Sequence, residues 1–360
     1  MAATPPTPTA ARAMARWLFA CAAMVFVMVI LGGATRLTES GLSMVEWKPL
    51  TILPPLNETQ WQEEFAAYQQ SPEFIKKNSW MELADFQQIY WLEYIHRLWG
   101  RLIGVVFFVP FVWFVAKGHV NPPLFWKLAG LFALGGAQGV LGWFMVASGL
   151  VDNPDVSQYR LAAHLLTAFV CFGLILWVGL GLVRSADPPA DAGVAAVRPW
   201  AAAVAAFALV VVTSGAFVAG IDAGKGFNTF PLMEGALIPG GMYTMTPWYV
   251  NWFENHLTVQ FNHRVLAFTL VVLIVVLFAA ARRAGVRGLT RKLATSLMHM
   301  VVLQAVLGIA TVLMVVPLWL ALLHQTGAQI VFALAVALLH HVHVVARAPS
   351  PARLTPAPAE

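Results

Sequence analysis

Long apolar runs separated by polar connections dominate this chain. They cover residues 17–35, 95–116, 125–147, 160–183, 200–220, 261–281, 293–316 and 320–345. Each is near the roughly 20 residues that a helix needs to cross a hydrocarbon core of about 30 Å. In lipid, backbone N–H and C=O groups must be bonded within the chain, so the pattern predicts eight membrane-spanning helices. Residues 1–16, rich in Ala, Thr and Pro with Arg12 and Arg16, form an N-terminal tail. The first apolar run is long enough to stay as a span rather than be a cleaved signal. Of the polar stretches, only 58–70 predicts a further helix, lying on the surface.

Composition agrees with an all-α polytopic membrane protein: 59% of residues are hydrophobic and only 11% charged. Alternate connections carry Arg12, Arg16, Lys117, Lys127, Arg184, Arg198, Arg282, Arg283, Arg287, Arg291, Lys292, Arg347 and Arg353. The positive-inside bias therefore puts both termini in the cytoplasm. The long connections 36–94 and 221–260 hold most of the acidic residues and face the opposite side, a periplasm or its equivalent. The net charge of +5 comes largely from this bias, and no basic, aromatic-interleaved patch suggests nucleic acid. Two cysteines, Cys21 and Cys171, both inside predicted helices, offer no disulfide framework, zinc site or iron–sulfur cluster.

Short segments recur. QGVLG at 138–142 returns as QAVLG at 304–308, IHR at 95–97 as NHR at 262–264, and KPL at 48–50 is echoed by FPL at 230–232. The chain reads as two tandem, parallel four-helix bundles: 17–184 and 200–346, joined by a cytoplasmic linker 185–199 and followed by a cytoplasmic tail 347–360. An even number of spans per half gives both halves the same orientation, so equivalent residues lie at equal depth.

That arrangement gives meaning to four histidines: His96 in EYIHR, His164 in RLAAHLL, His263 in FNHRV and His324 in LALLHQT. Each is expected in the first turn of its helix, near the outer face. An imidazole in hydrocarbon is costly, and a single buried one more often packs or hydrogen-bonds than ligates a metal. Four at repeated, depth-matched positions favour ligation. The second and fourth helices of an up-and-down bundle are diagonal across its core, so His96 faces His164 and His263 faces His324 across a flat porphyrin. Arg97, Arg101 and Arg264, at the outer ends of these helices, are candidate partners for haem propionates. Arg160 reads equally well as snorkelling to lipid headgroups. His119, His256, His299, His340, His341 and His343 read as structural or interfacial.

The halves differ at one position. Glu93 precedes His96 by three residues, whereas Gln260 precedes His263. An i, i+3 pair shares a helix face, so the carboxylate can sit over the same porphyrin as His96, making Glu93 the candidate catalytic residue. The alternative is a helix-end carboxylate that interacts with the dipole or with Arg97. The outer connection 36–94 has the length of a lid over a lipophilic substrate.

Several segments resemble the haem A synthase family over essentially all eight spans: GGATRLTESGLSMVEWKPL, WLEYIHRLWGRLIG, LGGAQGVLGWFMVASGL, FNHRVLAF and LHQTGA. The resemblance implies an oxidoreductase that oxidises the C8 methyl of haem O to the formyl group of haem A by successive hydroxylations and loss of water from a geminal diol. It implies that His96 and His164 flank the substrate haem with Glu93 beside it, while His263 and His324 ligate a retained haem b. It places the protein in a bacterial cytoplasmic (inner) membrane with its haem sites toward the periplasm, supplying cytochrome oxidase. The partners it implies are haem O, haem A and an electron acceptor, with haem O synthase, oxidase assembly factors and a second copy of the chain as candidates. The first outer loop has no cysteine pair, which matches the branch shared by alphaproteobacterial and mitochondrial members. Two other classes also use such features. A cytochrome b561-like or quinone-reactive carrier has bis-histidine haems, but on opposite membrane faces. A transporter uses repeats, but with broken helices at the midplane.

Overall fold

The computed structural model describes residues 6–46, 53–151, 154–183 and 193–346. The KPL echo at 48–50, Arg184, most of the proposed linker and the tail with Arg347 and Arg353 lie outside the described residues. Ten α-helices are described: α1 (Pro8–Leu37), α2 (Glu58–Gln69), α3 (Leu83–Ala116), α4 (Pro122–Gly149), α5 (Gln158–Leu182), α6 (Val194–Gly220), α7 (Asn251–Glu254), α8 (His256–Arg283), α9 (Gly288–Leu313) and α10 (Leu318–Val345). All of them except α2 and α7 are long and apolar enough to cross a membrane, and these eight correspond one to one with the predicted spans. The surface helix is also present, as α2.

Helix ends depart from the apolar runs where polar residues cap them. Asn121 accepts from Leu124 N at 3.0 Å, and Asn255 accepts from Leu257 N and Thr258 N at 3.0 and 3.2 Å, each satisfying a donor that the first helical turn leaves free. His256 is therefore the first residue of α8 and not part of a loop. Most of the stretch expected as N-terminal tail is helical, because α1 begins at Pro8 with its Thr7 cap.

The largest departure is α3, which starts at Leu83 and not near 95. Residues 83–94 are amphipathic: Phe86, Tyr90 and Glu93 are buried while Gln88 and Trp91 are exposed, so an apolar window passes over them. A reciprocal capping box of Glu82 and Asp85 sets the start. His96 consequently lies in the fourth turn of its helix, and His164, His263 and His324 in the second turns of theirs, rather than all in first turns.

Packing repeats between the halves. Helix α1 packs on α3, α3 on α4, α4 on α5 and α5 back on α1; α6, α8, α9 and α10 close the same ring. The seam joins α5 to α6, α5 to α10 and α1 to α10. At the seam Gly173 allows the Phe332 ring to approach, since a Cβ there would lie 2.9 Å from it. Polar side chains spend their hydrogen bonds on neighbouring helices: Trp17 Nε1 on Val106 O and Trp99 Nε1 on Met24 O, both 2.8 Å, and Gln325 Nε2 on Val29 O at 2.5 Å. Arg36 at the end of α1 reaches across to Ala219 O and Gly220 O at the end of α6, at 2.9 and 3.2 Å.

Beyond the spans, α2 docks on the extension of α3 through an aromatic cluster. Phe65 and Tyr68 meet Phe86 with ring centroids 5.2 and 5.1 Å apart, and Trp61 meets Tyr90 at 5.0 Å. Lys77 ties this layer to Asp155 at 2.8 Å and to Glu39 at 3.4 Å. Glu73 is buried beneath it and accepts from the Tyr68 hydroxyl at 3.0 Å, while Asn78 Nδ2 donates to that hydroxyl at 2.8 Å. Burial pushes the Glu73 carboxyl up from 4.5 to about 7, opposed by the Tyr68 hydrogen bond and more weakly by Lys77, with Glu93 and Glu39 nearby adding to the rise. The folded layer thus binds a proton that the unfolded chain releases, so this contribution to stability is full below about pH 4.5 and is lost as pH rises toward 7. Amide protection factors across 58–78, which remove the intrinsic pH dependence of exchange, should accordingly be smaller at pH 8 than at pH 5.5, and Glu73→Gln should flatten the difference.

Candidate functional site

The rings put the four histidines on diagonals. His96 is on α3 and His164 on α5; His263 is on α8 and His324 on α10. Direct neighbours in a ring touch, whereas diagonal helices leave the space between them to side chains. His96 and His164 lie within electrostatic reach of one another, as do His263 and His324. The pairing expected from the sequence is therefore the pairing that the fold brings together.

Each imidazole lies against a glycine of the span that precedes it. A Cβ built on Gly32 would sit 3.2 Å from His96 Nε2, on Gly142 3.4 Å from His164 Cε1, on Gly215 3.1 Å from His263 Cε1 and on Gly308 2.7 Å from His324 Cε1. The repeated glutamines are beside the same rings. Gln304 Nε2 lies 3.0 Å from His324 Nδ1 and donates to that residue's carbonyl at 2.8 Å. With its amide turned to satisfy its neighbours, Gln138 makes the matching contacts to His164 Nδ1 at 3.0 Å and to its carbonyl at 3.2 Å. Gln and Gly four residues apart share a helix face, which accounts for the recurring QxVLG: the amide orients the ring and the missing side chain makes room for it. His263 Nδ1 has a different partner, Ser214 Oγ at 2.8 Å. The QxVLG repeat is visible in the sequence, but by itself gives these residues no role. Their Gln-to-Gly spacing was the available signal, whereas nothing in the sequence marked Ser214.

Above the histidines the halves share a second construction. In the first half Glu93, 2% exposed, accepts from Ser43 Oγ at 2.7 Å, Met44 N at 2.8 Å, and Arg97 Nε and Nη2 at 3.0 and 2.6 Å. Arg97 then donates to Met44 O at 2.9 Å and Glu46 O at 3.2 Å. In the second half Gln260 Nε2 donates to Ala223 O at 3.0 Å and its Oε1 accepts from Arg264 at 3.0 Å. Arg264 donates to Phe227 O and Thr229 O, both at 2.9 Å. Each arginine pins the loop that follows the first helix of its own half. Of the propionate candidates, Arg97 also borders a small cavity with Met44, Trp143 and Ala147, and Arg101 lies one helical turn further along α3. Arg160 is drawn to α4, donating to Phe144 O at 2.5 Å and stacking 3.6 Å from the Phe144 ring centroid. His340 and His343 pack edge-on against Trp177, and His119 against Trp113, as structural histidines do.

Among the described residues no three His, Cys, Asp or Glu side chains converge as a metal-ion site. A bare ion is a poor match to two facing imidazoles, whereas a porphyrin brings four ligands of its own and leaves two axial positions. Gln304 Nε2 faces both Nδ1 and the carbonyl of His324, as Gln138 does at His164, and Gln304 Oε1 is buried without a partner. The histidine pairs and their glycine-made space fit a haem in each half.

A family model described as cytochrome oxidase assembly protein, COX15-CtaA, matches residues 15–336. The chain belongs to that family. It is similar to the haem A synthase of Parvibaculum lavamentivorans, 50% identical over 336 residues that cover 93% of this chain and 95% of the relative. It is likewise similar to that of Rhodospirillum centenum, 50% identical with 94% and 91% covered, and to that of Nitrosospira multiformis, 47% identical with 91% and 93% covered.

Removing the Glu93 carboxylate by Glu93→Ala would leave the Arg97 charge without its counter-ion and Met44 N without its acceptor. The expected loss is about 3–5 kcal/mol. Glu93→Gln recreates the pair seen at Gln260 and Arg264 and should lose far less, a contrast that thermal unfolding in detergent would read directly.

Proposed function

We propose that this protein is a haem A synthase, an oxidoreductase of the membrane that converts haem O to haem A for cytochrome oxidase. The observation that carries the reading is the match to curated haem A synthases at 47–50% identity over more than nine-tenths of the chain. The same likeness leaves a cytochrome b561-like carrier or a transporter without support.

In this reading each ring of four spans is one haem site. His96 and His164 hold the substrate in the half formed by 17–184, and His263 and His324 ligate a retained haem b in the half formed by 200–346. A bound haem b supplies one-electron redox chemistry between the substrate and an acceptor. The protein's own residues supply orientation, exclusion of water and charge. The glycines opposite the histidines set how closely each imidazole approaches its helix. Arg97, Arg101 and Arg264 offer positive charge to propionates, and the loops that Arg97 and Arg264 pin would close each site on its outer side. Glu93 brings to the substrate half a buried carboxylate that the other half replaces with an amide. Beside the methyl under oxidation, that charge would stabilise developing positive charge or orient the water that captures it. The product leaves after two hydroxylations, when the geminal diol loses water to give the formyl group.

Single replacements separate these roles. His263→Ala or His324→Ala should abolish the low-spin haem b spectrum, identified by pyridine haemochrome. Glu93→Gln should keep it and slow conversion, with haem O or a hydroxylated intermediate accumulating. Equal loss of haem b from His96→Ala would refute the division between halves, and wild-type turnover in Glu93→Gln would leave that residue a loop anchor.

In this reading the sites face the periplasmic side of a bacterial inner membrane and both termini are cytoplasmic, as the positive-inside bias of the alternate connections supports. Alkaline phosphatase should be active when fused after Trp61 or Tyr243 and inactive after Pro188; activity at Pro188 would reverse the orientation.

A further inference from the structure

The two halves hold their histidines differently. Ser214 Oγ lies 2.7 Å from Val211 O, three residues back on α6, and 2.8 Å from His263 Nδ1. A serine hydroxyl has one hydrogen. Both contacts are satisfied together only when that hydrogen goes to the Val211 carbonyl and the oxygen accepts from Nδ1–H. His263 is then the tautomer whose Nε2 carries a lone pair, the form that a haem iron needs. Gly32 faces His96 on α1 as Gly215 faces His263 on α6, and seven residues further on Glu39 and Asp222 share a left-handed backbone, so Leu31 stands where the second half has Ser214. Gly32 lies against His96 with no side chain to offer, and among the described residues no hydrogen bond reaches the His96 ring.

We infer that Ser214 is a positioning residue that fixes the orientation and tautomer of His263, and that it makes the second-half porphyrin the retained one. The inference rests on reading the histidine pairs as haem ligands. An acceptor on the distal ring nitrogen raises the donor strength of an imidazole and holds its plane, which slows dissociation of the iron and favours its oxidised state. Where Leu31 replaces the serine, no hydroxyl reaches His96, which turns more freely and donates less strongly. That suits a site whose porphyrin must enter as substrate and leave as product. The asymmetry between a keeping site and an exchanging site thus comes from one hydroxyl on α6 and its absence on α1.

The test uses purified holoprotein as wild type, Ser214→Ala and Ser214→Thr. Two readings are taken: transfer of haem b to excess apomyoglobin and the midpoint potential of the low-spin haem. Ser214→Ala should release haem about 10-fold faster or more, the usual scale for loss of such a partner, and shift the potential upward. Ser214→Thr, which keeps the hydroxyl, should restore both. A Ser214→Ala protein with wild-type release and potential would overturn the inference, as would a Ser214→Thr protein no better than Ser214→Ala. Failure of the underlying reading looks different: His263→Ala would retain an unchanged low-spin spectrum whatever happens at Ser214.

Discussion

Four helices packed as a ring leave their diagonal members apart, and the rest of this molecule depends on what fills that gap. Direct neighbours close on one another through small and apolar side chains. The diagonal pairs α3 with α5 and α8 with α10 instead carry imidazoles within electrostatic reach of each other. A polar ring facing hydrocarbon would be costly, so each is provided for: a glycine opposite it and, at three of the four, a hydrogen-bonding partner on Nδ1. Both halves therefore set their imidazoles in the same way, each against a glycine of the preceding span.

The outer loops are held to this frame by charge. Arg97 and Arg264 each collect two backbone carbonyls of the loop above and one polar side chain a turn earlier on the same helix. Buried backbone carbonyls need donors, and a guanidinium supplies several in a fixed plane. The pairing with Glu93 in one half and Gln260 in the other shows that the amide suffices for anchoring. Glu93 differs in that its second oxygen accepts from Ser43 Oγ and Met44 N, where Gln260 turns a donor to Ala223 O, so the carboxylate anchors its loop and also carries the charge that gives it a place in the proposed chemistry. Its neighbour Ser43 and the aromatic layer over α3 bury it further.

How much was legible varied by residue. The eight spans were readable because a helix crossing lipid must be long and apolar, and the histidine pairing followed from repeat and parity. The early start of α3 was not, because residues 83–94 are amphipathic and take their burial from α2, a partner distant in sequence. Arg160 could be assigned no single role until its ring and carbonyl partners on α4 were visible.

The sequence by itself determined the number of spans, the equivalence of the halves, the identity of the four histidines and the substitution of Gln260 for Glu93, because each is a matter of composition, spacing or local repetition. Only the tertiary structure decided which atoms those histidines meet. Ser214 is one hydroxyl among many in an apolar helix, and Gly32, Gly142, Gly215 and Gly308 are glycines among 27. Their roles arise from contacts between helices far apart along the chain, and side-chain packing across a ring sets those distances in a way that no local pattern encodes.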